Sequence, residues 1–302
     1  MAYFQPGIFA QGTRFHHHLE FAVPQGADLG AVAAAMRRLR EPAVTAGGAN
    51  IVIGFGAGLW RRIAGDAAPP SLRPFAAIDG TARRAPATQR DIWVWLHGAG
   101  PDIVLDTARA VAAAFGEVAT LEVEQPCFVY RDSRDLTGFV DGTENPPVGE
   151  APSAVIIPEG EPGAGGCFAL TQRYVHDLSA FHALSVEEQE GVIGRTKPDS
   201  VELEDSVKPA TAHIARVVIE DAEGEELEVF RRSTPFGDVR EHGLFFVAFS
   251  RDLDRIDRML RRMFGLDPDG LRDRLMDFTQ ATTGSYWFAP SQDEIDSRFD
   301  QD

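Results

Sequence analysis

Asp141 is the residue whose surroundings in the sequence most suggest chemistry. It lies in Arg134-Asp135-Leu136-Thr137-Gly138-Phe139-Val140-Asp141-Gly142-Thr143-Glu144-Asn145-Pro146, a carboxylate beside apolar Phe139 and Val140 and between two glycines. Gly138 and Gly142 let the backbone adopt positive φ or approach a flat partner closely, and Pro146 ends the segment. An Asp so placed can exchange a proton with a bound molecule. The same Asp-Gly pair also suits an ordinary turn whose Asp caps the next helix. Two other stretches have chemistry-bearing composition but the wrong pattern. Gly54-Phe55-Gly56-Ala57-Gly58 follows a strand, yet Leu59 stands where the last glycine of a dinucleotide loop belongs and no acidic partner is evident. In His16-His17-His18, strand alternation splits the rings between two faces and no Cys or carboxylate cluster joins them, so half-buried strand surface is the expectation.

The elements that would position these groups follow from hydrophobic periodicity. Phe15–Val23, Leu29–Leu39, Asn50–Phe55, Asp91–Leu96, Asp102–Phe115 and Ala119–Val129 read as strand, helix, strand, strand, helix and strand. Asp28 is placed to cap the first helix. The order β-α-β-β-α-β is the ferredoxin-like plan. A Pro/Gly-rich passage over 146–166 reads as a linker or long connection. The order then repeats less cleanly: a strand at Cys167–Val175, a helix at Val186–Ile193, strands at Glu228–Arg232 and Leu244–Ser250, a helix at Asp252–Met263 and a short strand at Tyr286–Ala289. The expectation is an α+β fold of two ferredoxin-like halves, residues 1–150 and 151–302, with antiparallel sheets and peripheral helices.

A chain of 302 residues with 44% hydrophobic content buries a large core. Its formal net charge of −17 argues against nucleic acid or anionic membranes as partners, since no basic patch offsets it. Cys127 and Cys167 are the two cysteines; both have apolar neighbours and are expected to be reduced and buried. No leader-like start and no apolar run of membrane-spanning length is visible, which predicts a cytoplasmic protein.

Gly138, Asp141 and Gly142 match a G-x-x-D-G string that resembles the signature of the dye-decolourising peroxidases, haem enzymes that reduce hydrogen peroxide. The similarity continues in Thr211-Ala212-His213-Ile214-Ala215-Arg216, in Val229-Phe230-Arg231-Arg232-Ser233-Thr234-Pro235-Phe236-Gly237 and in Gly243-Leu244-Phe245-Phe246-Val247-Ala248-Phe249. The resemblance implies the compact bacterial form, with the dimeric α+β barrel architecture and haem b carried by the second half beneath the G-x-x-D-G segment. It implies that His213 is the iron ligand and Asp277 its carboxylate partner; the alternatives are a structural His and a solvent-facing helix Asp. Asp141 and Arg231 would meet the peroxide, with Arg232 a competing candidate, and a permanently charged guanidinium suits the charge that develops on the leaving oxygen. Ser233 stands where some relatives carry Asn. Leu244 and Phe246 would wall the distal side or simply pack the core, and Arg195 would meet a haem propionate or make a surface salt bridge.

The implied function is a haem-dependent peroxidase that oxidises dyes, phenolics or other one-electron donors through a ferryl intermediate, fastest at acidic pH. Its acidic surface favours cationic donors such as Mn(II), and a homo-oligomer is expected. Trp93, Trp95, Tyr174, Tyr286 or Trp287 could relay electrons to the surface. The alternative is a haem-binding or haem-handling protein that releases iron. A shell-cargo role is disfavoured by the acidic stretch 293–302, which lacks an apolar docking segment.

Overall fold

In the computed structural model, residues 3–40, 48–224 and 226–299 are described; the last three residues of the acidic stretch lie outside them. The first half runs β1 (Phe15–Ala22), α1 (Leu29–Arg40), β2 (Asn50–Phe55), α2 (Ala57–Ala64), a two-residue-per-strand hairpin of β3 (Ile78–Asp79) and β4 (Arg84–Ala85), β5 (Ile92–Gly98), α3 (Pro101–Phe115) and β6 (Thr120–Phe128). The second runs α4 (Ala151–Val155), β7 (Cys167–His176), α5 (Leu178–His182), α6 (Val186–Ile193), α7 (His213–Val217), β8 (Phe230–Arg231), β9 (Thr234–Gly237), β10 (His242–Ser250), α8 (Leu253–Met263), β11 (Thr279–Ala281), β12 (Ser285–Ala289) and α9 (Gln292–Phe299).

The strands form one sheet in the order β6-β1-β5-β2-β12-β7-β10-β8, with β9 on β10 and β11 on β7. Each half therefore has the ferredoxin-like strand order 4-1-3-2, all pairs antiparallel. The halves join where Phe55 of β2 pairs with Phe288 of β12. At the far edges β6 and β9 lie against each other, so the sheet curls into a barrel.

Period-two alternation decides what fills that barrel. On β5, Trp93 and Trp95 point into an inner cluster with Phe245, Phe249 and Trp287, while Ile92, Val94 and Leu96 point outward into the larger cluster under the helices. Helix α8 shows the matching helical pattern, burying Leu253, Ile256, Leu260 and Met263 along one stripe.

Two expectations need correction. The passage 146–166 is not a free linker: it contains α4, whose Ala151 and Val155 are fully buried in the inner cluster, and Ile157 is buried in the outer one. Nor is His16-His17-His18 half-buried surface, because all three rings are buried. Gly54 and Gly56 of the 54–58 segment are there for packing. A Cβ on Gly56 would lie 2.3 Å from the Arg90 carbonyl oxygen, and one on Gly54 would press on Trp93 and Trp287. Cys127 and Cys167 are free and buried, as expected.

Candidate active site

His213 opens α7, and its ring lines a cavity of about 110 Å3 beneath the Asp141 segment. Its Nδ1 is 2.6 Å from Asp273 Oδ2, and Asp273 is fully buried. Asp273 is itself pinned, because its Oδ1 accepts from the Leu275 amide at the start of the turn Arg274–Asp277. A carboxylate on one ring nitrogen fixes the tautomer and turns the other nitrogen toward a ligand. His213 Nε2 has no protein partner among the described residues. His176 also lines the cavity, but both its nitrogens are engaged, Nδ1 with Thr279 Oγ1 at 2.7 Å and Nε2 with Asp135 Oδ1 at 3.1 Å.

The expected partner, Asp277, is elsewhere. Its carboxylate pairs with Arg272 at 2.6 Å and is 39% exposed. Asp273 begins the 3-10 turn and faces inward, whereas Asp277 ends it and faces out. Flanking residues mislead here: Asp277 has apolar neighbours and Asp273 sits between two arginines, but a single irregular turn has no periodicity to translate neighbours into a face.

Across the cavity, Gly138 and Gly142 have φ of 93° and 80°, the left-handed region that the sequence suggested. The loop is clamped from below by Arg134, whose guanidinium donates to the carbonyls of Gly138, Lys197 and Pro198. Asp141 and Arg231 both line this cavity and a wider outer one of about 620 Å3, so they stand at the junction of the two. Burial pushes the Asp141 carboxyl above the usual range, and the positive charge of Arg231 pulls against this without cancelling it. Arg231 Nε is buried without a hydrogen-bond partner. Arg232 points the other way: it donates to the Ile8 and Ala10 carbonyls and lies 5.1 Å over the Trp95 ring.

Leu244 and Phe246 line the inner cavity from one face of β10. Arg195 lines it too, and its guanidinium is paired with Glu144 and donates to the Ser200 carbonyl. Ser233 lines only the outer cavity, where its hydroxyl accepts from the Val247 amide at 3.2 Å.

Residues 5–129 match the family profile described as Dyp-type peroxidase, N-terminal, and residues 132–294 match Dyp-type peroxidase, C-terminal. The chain belongs to the Dyp-type peroxidases. Membership makes it a haem-dependent peroxidase. It is 42% identical over 250 residues to a dye-decolorizing peroxidase of Mycolicibacterium paratuberculosis, covering 82% of this chain and 71% of that one. The structure of the encapsulated DyP-type peroxidase from Mycobacterium smegmatis superposes with a TM-score of 0.91 at 37% identity, over 98% of both chains. A variant of Rhodococcus jostii RHA1 DypB in complex with heme superposes with a TM-score of 0.88 at 34% identity, over 95% of this chain and 96% of that one.

In this Dyp-type peroxidase one positioning residue escapes sequence reasoning. Asn145 donates from Nδ2 to the Arg231 carbonyl and accepts at Oδ1 from the Arg231 amide, both at 2.8 Å, while its own amide bonds the Gly142 carbonyl at 3.1 Å. It thus ties the Asp141 turn to the strand that carries Arg231, 86 residues away in sequence. The only local signal is an Asn before Pro146, which reads as turn chemistry. The mouth of the peroxidase also departs from its overall charge. Arg14, Arg131, Arg231 and Arg232 line the outer cavity against the single carboxylate of Asp141, a cationic opening on a chain of net charge −17.

Proposed function

We propose that the inner cavity holds haem b with His213 as its single protein ligand, and that Asp141 and Arg231 act on hydrogen peroxide on the opposite face. The observation that carries this reading is the His213 ring, held at Nδ1 by buried Asp273 with Nε2 turned free toward an apolar-walled cavity. That is the donor arrangement an axial imidazole needs. Arg195 is positioned to meet a propionate by exchanging its Glu144 contact for it. Leu244 and Phe246 keep water from the distal side. Haem, when bound, supplies two-electron oxidation by peroxide and return through two one-electron donors.

The protein residues supply proton and charge handling. Heterolysis of the O–O bond moves a proton from the inner to the outer oxygen and leaves negative charge on the departing one. Asp141, with its pKa raised by burial, can take and return that proton. Arg231 would stabilise the charge by donating hydrogen bonds from its guanidinium to the departing oxygen. Ser233, in the outer cavity, orders water and peroxide on the way in. The reading extends to halves at 1–150 and 151–302, to a cytoplasmic location suited to the two unpaired cysteines, and to a homo-oligomer, which light scattering of the purified protein would check.

The test is a haem titration followed by rapid mixing with peroxide. His213→Ala should lose tight haem retention or change the ferric spectrum, while His176→Ala should keep both. In the haem-loaded protein, Arg231→Leu should slow the reaction with peroxide about a hundredfold to a thousandfold, the usual cost of removing one such donor, and more than Asp141→Asn does. An unchanged spectrum in His213→Ala, or equal rates in Arg231→Leu and wild type, would sink the assignment.

A further inference from the structure

Four rings of the barrel interior are held by contacts that ordinary packing does not require. Trp93 and Trp95 stack with ring centres 6.3 Å apart and planes 4° from parallel. His18 stacks on both, at 6.1 and 6.0 Å with planes within 6°. The indole Nε1 of Trp93 donates to His18 Nδ1 at 3.3 Å, and that of Trp95 donates to His16 Nδ1 at 3.1 Å. An imidazole accepts at Nδ1 only when neutral. Burial enforces that state: it lowers the His16 pKa to about 3, with Arg232 adding to the effect, and holds that of His18 well below the usual imidazole range. The Nε2 atoms of both histidines are buried without partners. Each tryptophan is therefore paired with an uncharged base at the very atom that becomes acidic when an indole loses an electron.

The array is one strand's thickness from the active site. Phe245 stacks on His18 at 4.0 Å, and its neighbour Phe246 lines the inner cavity. Arg232 covers Trp95, and its neighbour Arg231 faces the peroxide side. Trp93, Trp95 and Trp287 are each fully buried, while His16 and Arg232, which contact Trp95, line the outer cavity.

We propose that Trp93 and Trp95 form an internal one-electron redox site, which gives an electron to the peroxide-oxidised haem centre and keeps the resulting radical on Trp93. This rests on the haem peroxidase activity, which supplies the oxidant. One electron leaves the indole pair and the oxidised centre is reduced by one. The Nε1 proton stays on Trp93, held in the existing hydrogen bond to neutral His18 Nδ1, so the oxidised site is an indole radical cation. A one-electron donor later restores the electron. Trp93 is the resting place because Arg232 opposes added positive charge at Trp95, whereas Glu20 lies directly across from Trp93 in the strand register. Glu20 belongs to the same buried network, accepting from Thr171 at 3.0 Å, which in turn accepts from the Trp287 indole at 2.8 Å. Tyr174 lines the inner cavity but donates to the Gln172 amide oxygen, which cannot take its proton.

The experiment uses the haem-loaded full chain mixed with one equivalent of hydrogen peroxide and no donor, then frozen for electron paramagnetic resonance, with the haem absorption band followed in parallel. The expected result is a radical signal that narrows when the protein is made with ring-deuterated tryptophan and is lost in Trp93→Phe, while the absorption band of Trp93→Phe still responds to peroxide. The labelled wild-type chain keeps the test valid if Trp93→Phe folds poorly. A signal that narrows with deuterated tyrosine instead, one that survives unchanged in Trp93→Phe, or none at all overturns the proposal. An absorption band that ignores peroxide in wild type overturns the haem peroxidase reading along with it.

Discussion

At His213 the two ring nitrogens have different jobs, and Asp273 sets which does which. A buried carboxylate 2.6 Å from Nδ1 holds the ring in place and makes Nε2 more electron-rich. Asp277, four residues on, is occupied with Arg272 at the surface. Replacing Asp273 with Asn should therefore weaken haem retention by about tenfold to a hundredfold, the usual cost of losing such a partner. Asp277→Asn should retain haem like wild type. Transfer of haem to an excess of a haem-scavenging protein measures both, and equal loss from the two variants would show that Asp273 has no special role.

At the scale of elements, the active site depends on holding a loop against a strand. The Asp141 turn has no sheet pairing with β8; the Asn145 amide makes that connection through two hydrogen bonds to the Arg231 backbone. Truncating it leaves a part-buried amide and carbonyl unpaired, which costs up to about 1–3 kcal/mol each. It also frees Asp141 to drift from Arg231. Asn145→Ala should lower the melting temperature and, in the haem-loaded protein, reduce kcat/KM for peroxide by up to about a hundredfold, as small misplacements of catalytic groups do. A variant that is destabilised yet reacts with peroxide at the wild-type rate would leave Asn145 a purely structural residue.

For the whole molecule, two electrostatic features oppose the average. The first is a buried acid in the barrel: burial pushes the Glu20 carboxyl up to about 7, against the opposing pull of Thr171 and Arg90. A carboxyl that binds its proton more tightly folded than unfolded contributes stability below the ordinary glutamate range, and that contribution is lost as pH rises from there through about 7. Glu20→Gln cannot ionise, so relative to wild type it should gain stability between about pH 5 and about pH 8, by on the order of 3 kcal/mol. Denaturant melts at the two pH values check this, and a constant difference would mean that Glu20 does not titrate in that window. The second is the arginine-lined mouth on an acidic chain. Local charge at a cleft governs encounter more than net charge does. An anionic donor that reacts at the mouth should lose kcat/KM as salt rises, because screening shortens the reach of those arginines. A cationic donor such as Mn(II) should do the same only if it reacts at the acidic surface elsewhere, so a salt-independent anionic donor would place its oxidation away from the mouth.

Alternation along strands and stripes along helices belong to the chain itself, so the two ferredoxin-like halves, the split of His16 and His18 from His17, and the positive-φ glycines around Asp141 are legible in the order of residues alone. So is the family, because its motifs lie in segments whose order survives in one dimension. What only the tertiary structure decided lies where irregular segments meet. Asp273 replaces Asp277 because burial in a single turn depends on what packs over it. Asn145 becomes a clamp because β8 passes beside it. The passage 146–166 is packed because α4 covers one end of the barrel. Closure of the barrel, set by β6 meeting β9 at the far edges, buries His16, His18, Trp93 and Trp95 together; each strand specifies a face, but only the meeting of two faces specifies the partners.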